Sequence, residues 1–259
     1  MVIPIVVALV VILTGWAYKA IKPPPPKICG SVGGPEVTCP RVKLSDGRHL
    51  AYREFGVPRE EARHKIIVIH GFGGSKDTNL PVSQELMEEH GIYFLHFDRA
   101  GYGESDPHSS RSVKSEAYDI QELADKLQIG HKFYITGISM GGYPVWSCLK
   151  YIPHRHERIT QQGEYESLHR DIMIAFGKWE FGPTEISNPF PDNNGSVHMW
   201  QGFEDRIIPY MVNRYISEKL PWIRYHEVPH GGHLFMFKKN ECESIIRELV
   251  LSQHNSYAE

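Results

Sequence analysis

The sequence predicts an α/β fold with a mostly parallel sheet that is covered by helices on both faces. From about Arg41 onward, strand-like and helix-like segments alternate, which is typical of parallel strands joined through helices. Two of the strand-like segments, residues 66–69 and 93–97, are short continuous apolar runs. Such runs indicate strands that are buried on both faces.

The individual elements follow this alternation, and residues 41–259 are predicted to form one domain. The turn at residues 45–48 separates two strand-like runs and predicts a hairpin. The expected strands are 41–44, 49–55, 66–69, 93–97, 133–138, 197–202 and 223–228, and the expected helices are 80–90, 113–127 and 142–151.

The composition argues against several classes of partner. The 259 residues are 41% hydrophobic and 23% charged, which is ordinary for a globular protein. A formal net charge of −3 gives no reason to expect nucleic acid as a partner. The 15 histidines are scattered and lack the spacing of a zinc protease. We therefore expect no metal and no other cofactor.

Residues 1–20 are predicted to form a single-pass transmembrane anchor, with a membrane as the partner. Residues 2–18 carry no charged side chain and would span about 25 Å as a helix. Trp16, Tyr18 and Lys19 lie where interfacial residues are expected. The alternative is a cleaved signal peptide, but no basic segment precedes the apolar run and no A-x-A-like site closes it.

Residues 21–40 are predicted to form a Pro/Gly-rich juxtamembrane linker, in which the prolines at 23–26 act as a stiff spacer. The lysines that follow the apolar run favour a cytosolic domain, whereas the sequon at Asn194 would be used only in the lumen. Both topologies stay open.

The four cysteines are too few for a disulfide scaffold in a domain of this size. Cys148 and Cys242 lie in predicted helices and are expected to be buried free thiols. Cys29 and Cys39 bracket a glycine-rich loop and could pair if that loop were luminal.

The strongest chemical motif is Gly-Ile-Ser-Met-Gly at residues 137–141, which lies between a predicted strand and a predicted helix. Small residues on either side allow a sharp turn that presents the Ser139 hydroxyl above the sheet. Ser139 is therefore the predicted nucleophile. Because a helix begins here, the backbone N–H of Met140 is a candidate donor to an oxyanion.

A second glycine-rich loop, His-Gly-Phe-Gly-Gly at residues 70–74, follows the strand at 66–69. Its glycines allow a substrate to approach the backbone, and the Phe72 N–H is the second candidate oxyanion donor; the alternative is a plain turn. Asp98 and Arg99, at the end of the next strand, are expected to brace this loop rather than to transfer protons.

Two further residues complete a pattern downstream. Asp205 lies just past the strand at 197–202, and His233 lies on a loop beyond the strand at 223–228. The chain order Ser–Asp–His is that of the α/β-hydrolase arrangement, unlike the orders in chymotrypsin and subtilisin. Ser139, Asp205 and His233 are therefore predicted to form a catalytic triad.

From Lys27 to its C-terminus the chain resembles the plant-type membrane-anchored α/β-hydrolases, which are esterase-like proteins. The resemblance is carried by HGFGGSK, FDRAGYGESDP, GISMGGYPVWSCLKYIPHR, GEYESLHRD, WQGFEDR and VPHGGHLF. It implies an α/β-hydrolase fold, with Ser139 as nucleophile, Asp205 as acid and His233 as base. It also implies Phe72 and Met140 as oxyanion donors and a small-molecule ester as substrate.

The sequence departs from this family around residues 155–163. Members of the family continue there into an apolar core strand and then a helical cap, whereas residues 156–164 are polar and are predicted not to form a buried strand. We therefore expect a shortened form with one core strand missing and a reduced cap, in which 164–176 form a helix. The alternative is that the cap is simply short.

The predicted gap has a consequence for activity. The strand that carries Asp205 would move inward by about 4.8 Å to pair with the nucleophile strand, or would dock loosely, and either change would disturb the triad. Ester hydrolysis with impaired activity is the leading hypothesis. The alternative is a non-catalytic, membrane-tethered binder of a small ligand; epoxide or haloalkane hydrolysis would need a carboxylate at position 139.

Overall fold

The computed structural model describes residues 2–21, 27–161, 171 and 177–251. The chain divides into two compact units, Met1–Glu36 and Val37–Glu259, and each is described by itself. The proline run at 23–26 lies outside the described residues.

The first unit contains helix α1 (Val2–Ile21) and a loop in which the buried Cys29 thiol donates to the carbonyl of Glu36 over 3.3 Å. Side chains of α1 such as Leu13 and Trp16 are exposed. In the part of the chain that the structure describes, no helix is long and apolar enough to cross a membrane. The anchor at residues 1–20 and the linker at 21–40 stay predictions.

The second unit is built on one eight-stranded sheet. Its strands are β1 (Arg41–Lys43), β2 (His49–Gly56), β3 (His64–Ile69), β4 (Ile92–Phe97), β5 (Phe133–Gly137), β6 (His156–Gln161), β7 (Ser196–Gly202) and β8 (Ile223–Val228). They are arranged in the order β1-β2-β4-β3-β5-β6-β7-β8. The β1–β2 hairpin and the β2–β4 pair are antiparallel, and every other pair is parallel.

Helices cover both faces of this sheet, as the sequence predicts. They are α2 (Gln84–His90), α3 (Val113–Lys126), α4 (Gly142–Tyr151), α5 (Tyr210–Lys219) and α6 (Lys239–Leu251). Alternate residues of β3 divide between two cores: Ile67 and Ile69 pack in one with α3 and α4, and Ile66 and Val68 pack in the other with α2 and α6.

Local chemistry decides where two of the helices begin and end. Helix α3 begins with a capping box, in which the Ser112 side chain accepts the Ser115 N–H over 3.1 Å. Helix α2 ends at Gly91, which has the left-handed φ of 61° that glycine tolerates. The predicted helix at 80–90 begins only at Gln84, after the extended residue Ser83. Leu80 precedes a proline, which disfavours helical backbone at that residue.

The prediction that a core strand is missing is wrong. Residues 156–161 form β6, which lies between β5 and β7, the strands that precede Ser139 and Asp205, and pairs in parallel with both. Ile159 lies opposite Ile135 on one side and Val197 on the other. The register shifts once, next to Phe133, as it does at a β-bulge.

The physical reason is that the backbone of the sheet outweighs the side-chain pattern. An empty slot between β5 and β7 would leave two rows of backbone N–H and C=O groups without partners, at about 1–3 kcal/mol for each buried group. A polar segment that contains the β-branched residues Ile159 and Thr160 is compatible with extended backbone, and it fills the slot.

The reduced cap stays a prediction, because part of the connection from β6 to β7 lies outside the described residues. The predicted helix at 164–176 lies outside the described residues apart from Asp171. Later in the connection a short 3-10 helix, Pro183–Glu185, is flanked by Phe181 and Ile186, which are buried in the α3–α4 core.

Candidate active site

The turn that carries Ser139 has a strained backbone. Ser139 lies between β5 and α4 and begins a 3-10 turn, Ser139–Gly141. Its φ is +52°, in the left-handed region that non-glycine residues rarely adopt. Such strain is retained where the surrounding structure enforces it, often at functional sites. This conformation turns the chain sharply at the carboxyl end of β5.

Close packing requires glycine on both sides of this turn. A Cβ on Gly137 would lie 2.4 Å from the carbonyl oxygen of Gly141, and a Cβ on Gly141 would lie 2.2 Å from that of Ile69. The Ile138 N–H also donates to the Ile69 carbonyl over 3.0 Å. The turn is therefore seated against the end of β3, where the glycine-rich loop at 70–74 begins.

The structure brings the three predicted triad residues together. The Ser139 hydroxyl oxygen lies 3.3 Å from Nε2 of His233, and Nδ1 of the same ring lies 2.7 Å from the Asp205 carboxylate. The three side chains extend from the ends of β5, β7 and β8. The predicted inward shift of the acid strand is therefore wrong, because β6 keeps β7 one strand away from β5.

Backbone contacts fix the loop that carries Asp205 against the loop that carries His233. The Phe203 N–H donates to the Val228 carbonyl over 3.0 Å, and the Glu204 N–H donates to the Gly231 carbonyl over 2.9 Å. A Cβ on Gly202 would lie 2.3 Å from that same Gly231 oxygen. The two loops therefore share a close backbone contact, which sets the separation of Asp205 and His233.

The Asp205 carboxylate is held in its ionised form. One oxygen accepts the N–H groups of Ile207 and Ile208 over 2.8 and 2.9 Å, and the other accepts the Gln201 side-chain amide over 3.1 Å. Burial acts to raise the pKa of Asp205, but hydrogen bonds from Ile208, His233 and Ile207 outweigh it and lower that pKa. The charged carboxylate favours a proton on Nδ1 of His233, which leaves Nε2 to accept one.

The candidate oxyanion donors lie in the two adjacent turns. Phe72 is buried in the loop after β3, and Met140 lies in the 3-10 turn with Ser139. Their contact with substrate stays a prediction. The ring of His70 clamps the loop: Nδ1 lies 2.7 Å from the Gly71 carbonyl, and Nε2 accepts the Arg99 N–H over 3.1 Å. Burial and the charge of Arg99 hold the pKa of His70 well below its usual value.

The prediction that Asp98 and Arg99 brace this loop is confirmed. Asp98 is fully buried and accepts both the backbone N–H of Lys76 over 2.7 Å and its ammonium over 3.1 Å. Arg99 donates from Nη2 to the Gly71 carbonyl over 3.2 Å. Neither side chain contacts the Ser139–His233 pair in any hydrogen bond described here.

The sequence reasoning missed a buried charge cluster next to the loop. Two arginines, two carboxylates and two tyrosines belong to it: Arg99, Arg111, Glu116, Asp171, Tyr102 and Tyr143. Among the described residues of the β6–β7 connection, Asp171 is the only member. The block GEYESLHRD, which ends at Asp171, was the one sequence signal that pointed to it.

The cysteines lie apart from this chemistry. All four are free thiols, and Cys148 and Cys242 are buried as predicted. Burial raises the pKa of Cys148 well above its usual value and raises that of Cys242 to about 12, which suppresses the reactive thiolate. Among the described side chains, no group of three or more His, Cys, Asp or Glu residues is placed to hold a metal ion.

This geometry and topology define the class: the chain has the α/β-hydrolase fold. A solved structure of a thermophilic esterase from Thermogutta terrifontis matches with a TM-score of 0.62 over 83% of this chain and 100% of that one, at 18% identity. At this identity the match shows the fold alone.

The sequence comparisons each cover less than half of the chain. The family model Hydrolase_4, "Serine aminopeptidase, S33", matches residues 60–162. An uncharacterized 31.7 kDa protein from Escherichia coli is 34% identical over 117 residues, which is 41% of this chain and 38% of that protein. Lipase 1 of Psychrobacter immobilis is 32% identical over 39% of this chain and 31% of its own. The chain thus matches less than two fifths of the length of these relatives.

Proposed function

We propose that this protein is a serine hydrolase that cleaves carboxyl esters. The observation that carries the proposal is the continuous hydrogen-bonded line from Ser139 through His233 to Asp205. It starts at a left-handed turn that presents the serine and ends at a buried, ionised carboxylate. The similarity to a lipase over part of the chain supports ester substrates.

The proposed reaction follows from the position of each group. The Ser139 oxygen attacks the ester carbonyl while Nε2 of His233 takes its proton. The resulting oxyanion is stabilised by the N–H groups of Phe72 and Met140. The protonated ring then returns its proton to the leaving alcohol, which gives an acyl-serine. Water attacks this intermediate with His233 again as base, and Asp205 orients the ring throughout.

Covalent labelling with a fluorophosphonate tests the proposal directly. Wild-type protein is expected to be labelled, Ser139→Ala to lose labelling completely, and His233→Ala to be labelled much more slowly, because an alcohol is a poor nucleophile without a base. Ser110→Ala, which changes an exposed serine, serves as the control and should label normally.

Two outcomes would contradict the proposal. Labelling that survives the loss of Ser139 would mean that another residue is the nucleophile. A folded wild-type protein that neither labels nor turns over aryl esters would favour the non-catalytic, ligand-binding alternative.

If the protein is active, a series of p-nitrophenyl esters with acyl chains of increasing length would define its substrate class.

A further inference from the structure

The charge cluster described above is buried to an unusual degree. Arg99 and Asp171 are fully buried, and the side chains of Arg111 and Glu116 are 2% and 3% exposed. Two positive and two negative groups balance one another inside the domain. Buried charges of this kind persist only where each one has a partner, so the loss of a single carboxylate would affect the whole cluster.

Asp171 is the acceptor that holds the two arginines. It receives Nη1 and Nη2 of Arg99 over 3.0 and 2.7 Å, a two-pronged contact that fixes the plane of the guanidinium. It also receives Nη2 of Arg111 over 2.8 Å, and the Tyr102 and Tyr143 hydroxyls. Burial acts to raise the pKa of Asp171, but hydrogen bonds and charge from Arg99 and charge from Arg111 lower it.

Arg99 passes this constraint to the glycine-rich loop. Its Nη2 donates to both Asp171 and the carbonyl oxygen of Gly71. The Gly71 carbonyl and the Phe72 N–H belong to the same peptide group, which is planar and holds the two bonds in opposite directions. The orientation of the Gly71 carbonyl therefore sets the direction of the Phe72 N–H.

We propose that Asp171 is a positioning residue for the oxyanion hole. It fixes the guanidinium of Arg99, which fixes the Gly71–Phe72 peptide and so aims the Phe72 N–H at the site of the developing oxyanion. The residue reaches this position from the β6–β7 connection, so this connection contributes to catalysis from outside the triad. The inference rests on the proposed function and assigns an additional role within it.

An aryl trifluoromethyl ketone provides a readout that a merely structural role would not change. The Ser139 oxygen forms a bond to the ketone carbon, the carbonyl π electrons move to oxygen, and the serine proton moves to Nε2 of His233. Binding of this adduct depends on the oxyanion donors. In Asp171→Asn we expect its inhibition constant to rise by tenfold to 10²-fold, with kcat for an aryl ester falling similarly and KM nearly unchanged.

Asp119→Asn is the matched control. Asp119 is also a buried carboxylate that receives two nitrogens of one arginine, Arg48, over 2.9 and 2.6 Å, but it lies on α3 and none of its described hydrogen bonds reaches the glycine-rich loop. The Asp119→Asn variant should therefore have a lower melting temperature but an unchanged inhibition constant. Arg99→Lys is the second variant. It keeps a positive charge beside Asp171 but loses the paired N–H donors of the guanidinium, so it should raise the inhibition constant as Asp171→Asn does.

The outcomes separate this inference from the proposed function. A wild-type protein that binds no ketone at Ser139 overturns both. The positioning role alone is overturned if the wild type binds the ketone and the inhibition constant is unchanged in folded Asp171→Asn. If that variant does not fold, an unchanged inhibition constant in folded Arg99→Lys overturns it. An equal rise in Asp119→Asn also overturns it, because the effect would then reflect general destabilisation.

Discussion

The carboxylate of Asp205 lies 2.7 Å from Nδ1 of His233, and the strand that carries it is separated from the nucleophile strand by the polar strand β6. The second oxygen of Asp205 is occupied by two backbone N–H groups. The acid is therefore held from both sides, and its distance from Ser139 depends on a full set of strands between them.

Asp205→Asn is expected to lower kcat for an aryl ester by about 10⁴ while leaving the fold intact. An amide at this position no longer favours the proton on Nδ1, so the ring presents the wrong tautomer to Ser139. Steady-state kinetics with far-UV circular dichroism would measure both effects. A loss below tenfold in a folded variant would show that Asp205 is not the triad acid.

Thr160→Pro is expected to destabilise the domain strongly, because proline removes an N–H from a strand that is paired on both sides. The backbone carbonyl that loses this N–H donor would by itself lower the free energy of unfolding by about 1–3 kcal/mol. Thr160→Ala keeps the N–H and is the control. Urea unfolding of the two variants would measure the difference, and equal stability would mean that β6 is not a central strand.

Gly141→Ala is expected to abolish fluorophosphonate labelling and to lower the melting temperature. The added Cβ would meet the Ile69 carbonyl at 2.2 Å, and a backbone atom cannot move aside without displacing the end of β3. Gly232→Ala is the matched control, since its Cβ would have no neighbour within 4 Å. Normal labelling of Gly141→Ala would show that the turn is looser than the packing indicates.

The buried ring of His96 should make stability fall at acid pH. Burial lowers its pKa from 6.5 to about 4 in the folded state, so below pH 6.5 the unfolded chain binds a proton that the folded chain excludes. The contribution of the neutral His96 ring to the free energy of unfolding is fully present above pH 6.5. It declines toward pH 4, by about 3 kcal/mol in all.

Urea unfolding of wild type and His96→Gln between pH 4 and 7.5 would measure this dependence. The variant should show a shallower decline than the wild type. His154→Gln, at an exposed position, should decline like the wild type. Parallel curves for wild type and His96→Gln would show that the ring accepts a proton without unfolding.

We propose that residues 1–20 hold the protein in membranes, on the basis of their uncharged run and its aromatic and lysine border. Full-length protein should stay in the pellet on alkaline carbonate extraction, and a form that begins at Lys27 should be released. Release of the full-length protein would refute an integral anchor.

The sequence was sufficient for most of the sheet and for the triad because both depend on local patterns. Apolar runs such as 66–69 mark strands that are buried whatever surrounds them. The turn at 137–141 needs glycines that the sequence displays directly, and the order of Ser139, Asp205 and His233 follows from the order of the strands.

The sequence could not reveal β6 or Asp171, because both depend on distant partners. The backbone of β6 is stabilised by β5 and β7, which a pattern of polar side chains does not report. Asp171 acquires its role from two arginines about 60 and 70 positions away in the chain. Non-local hydrogen bonding of this kind is set by the folded sheet and loops, not by the neighbouring residues.

The left-handed backbone of Ser139 bears on how the chain evolves. A serine at φ +52° costs about 1–3 kcal/mol relative to a relaxed backbone, and glycine at that position would recover part of it. A lineage freed from the need for a nucleophile would therefore gain stability by drifting to glycine there. The turn therefore presents the Ser139 hydroxyl at a cost in stability that glycine would partly avoid.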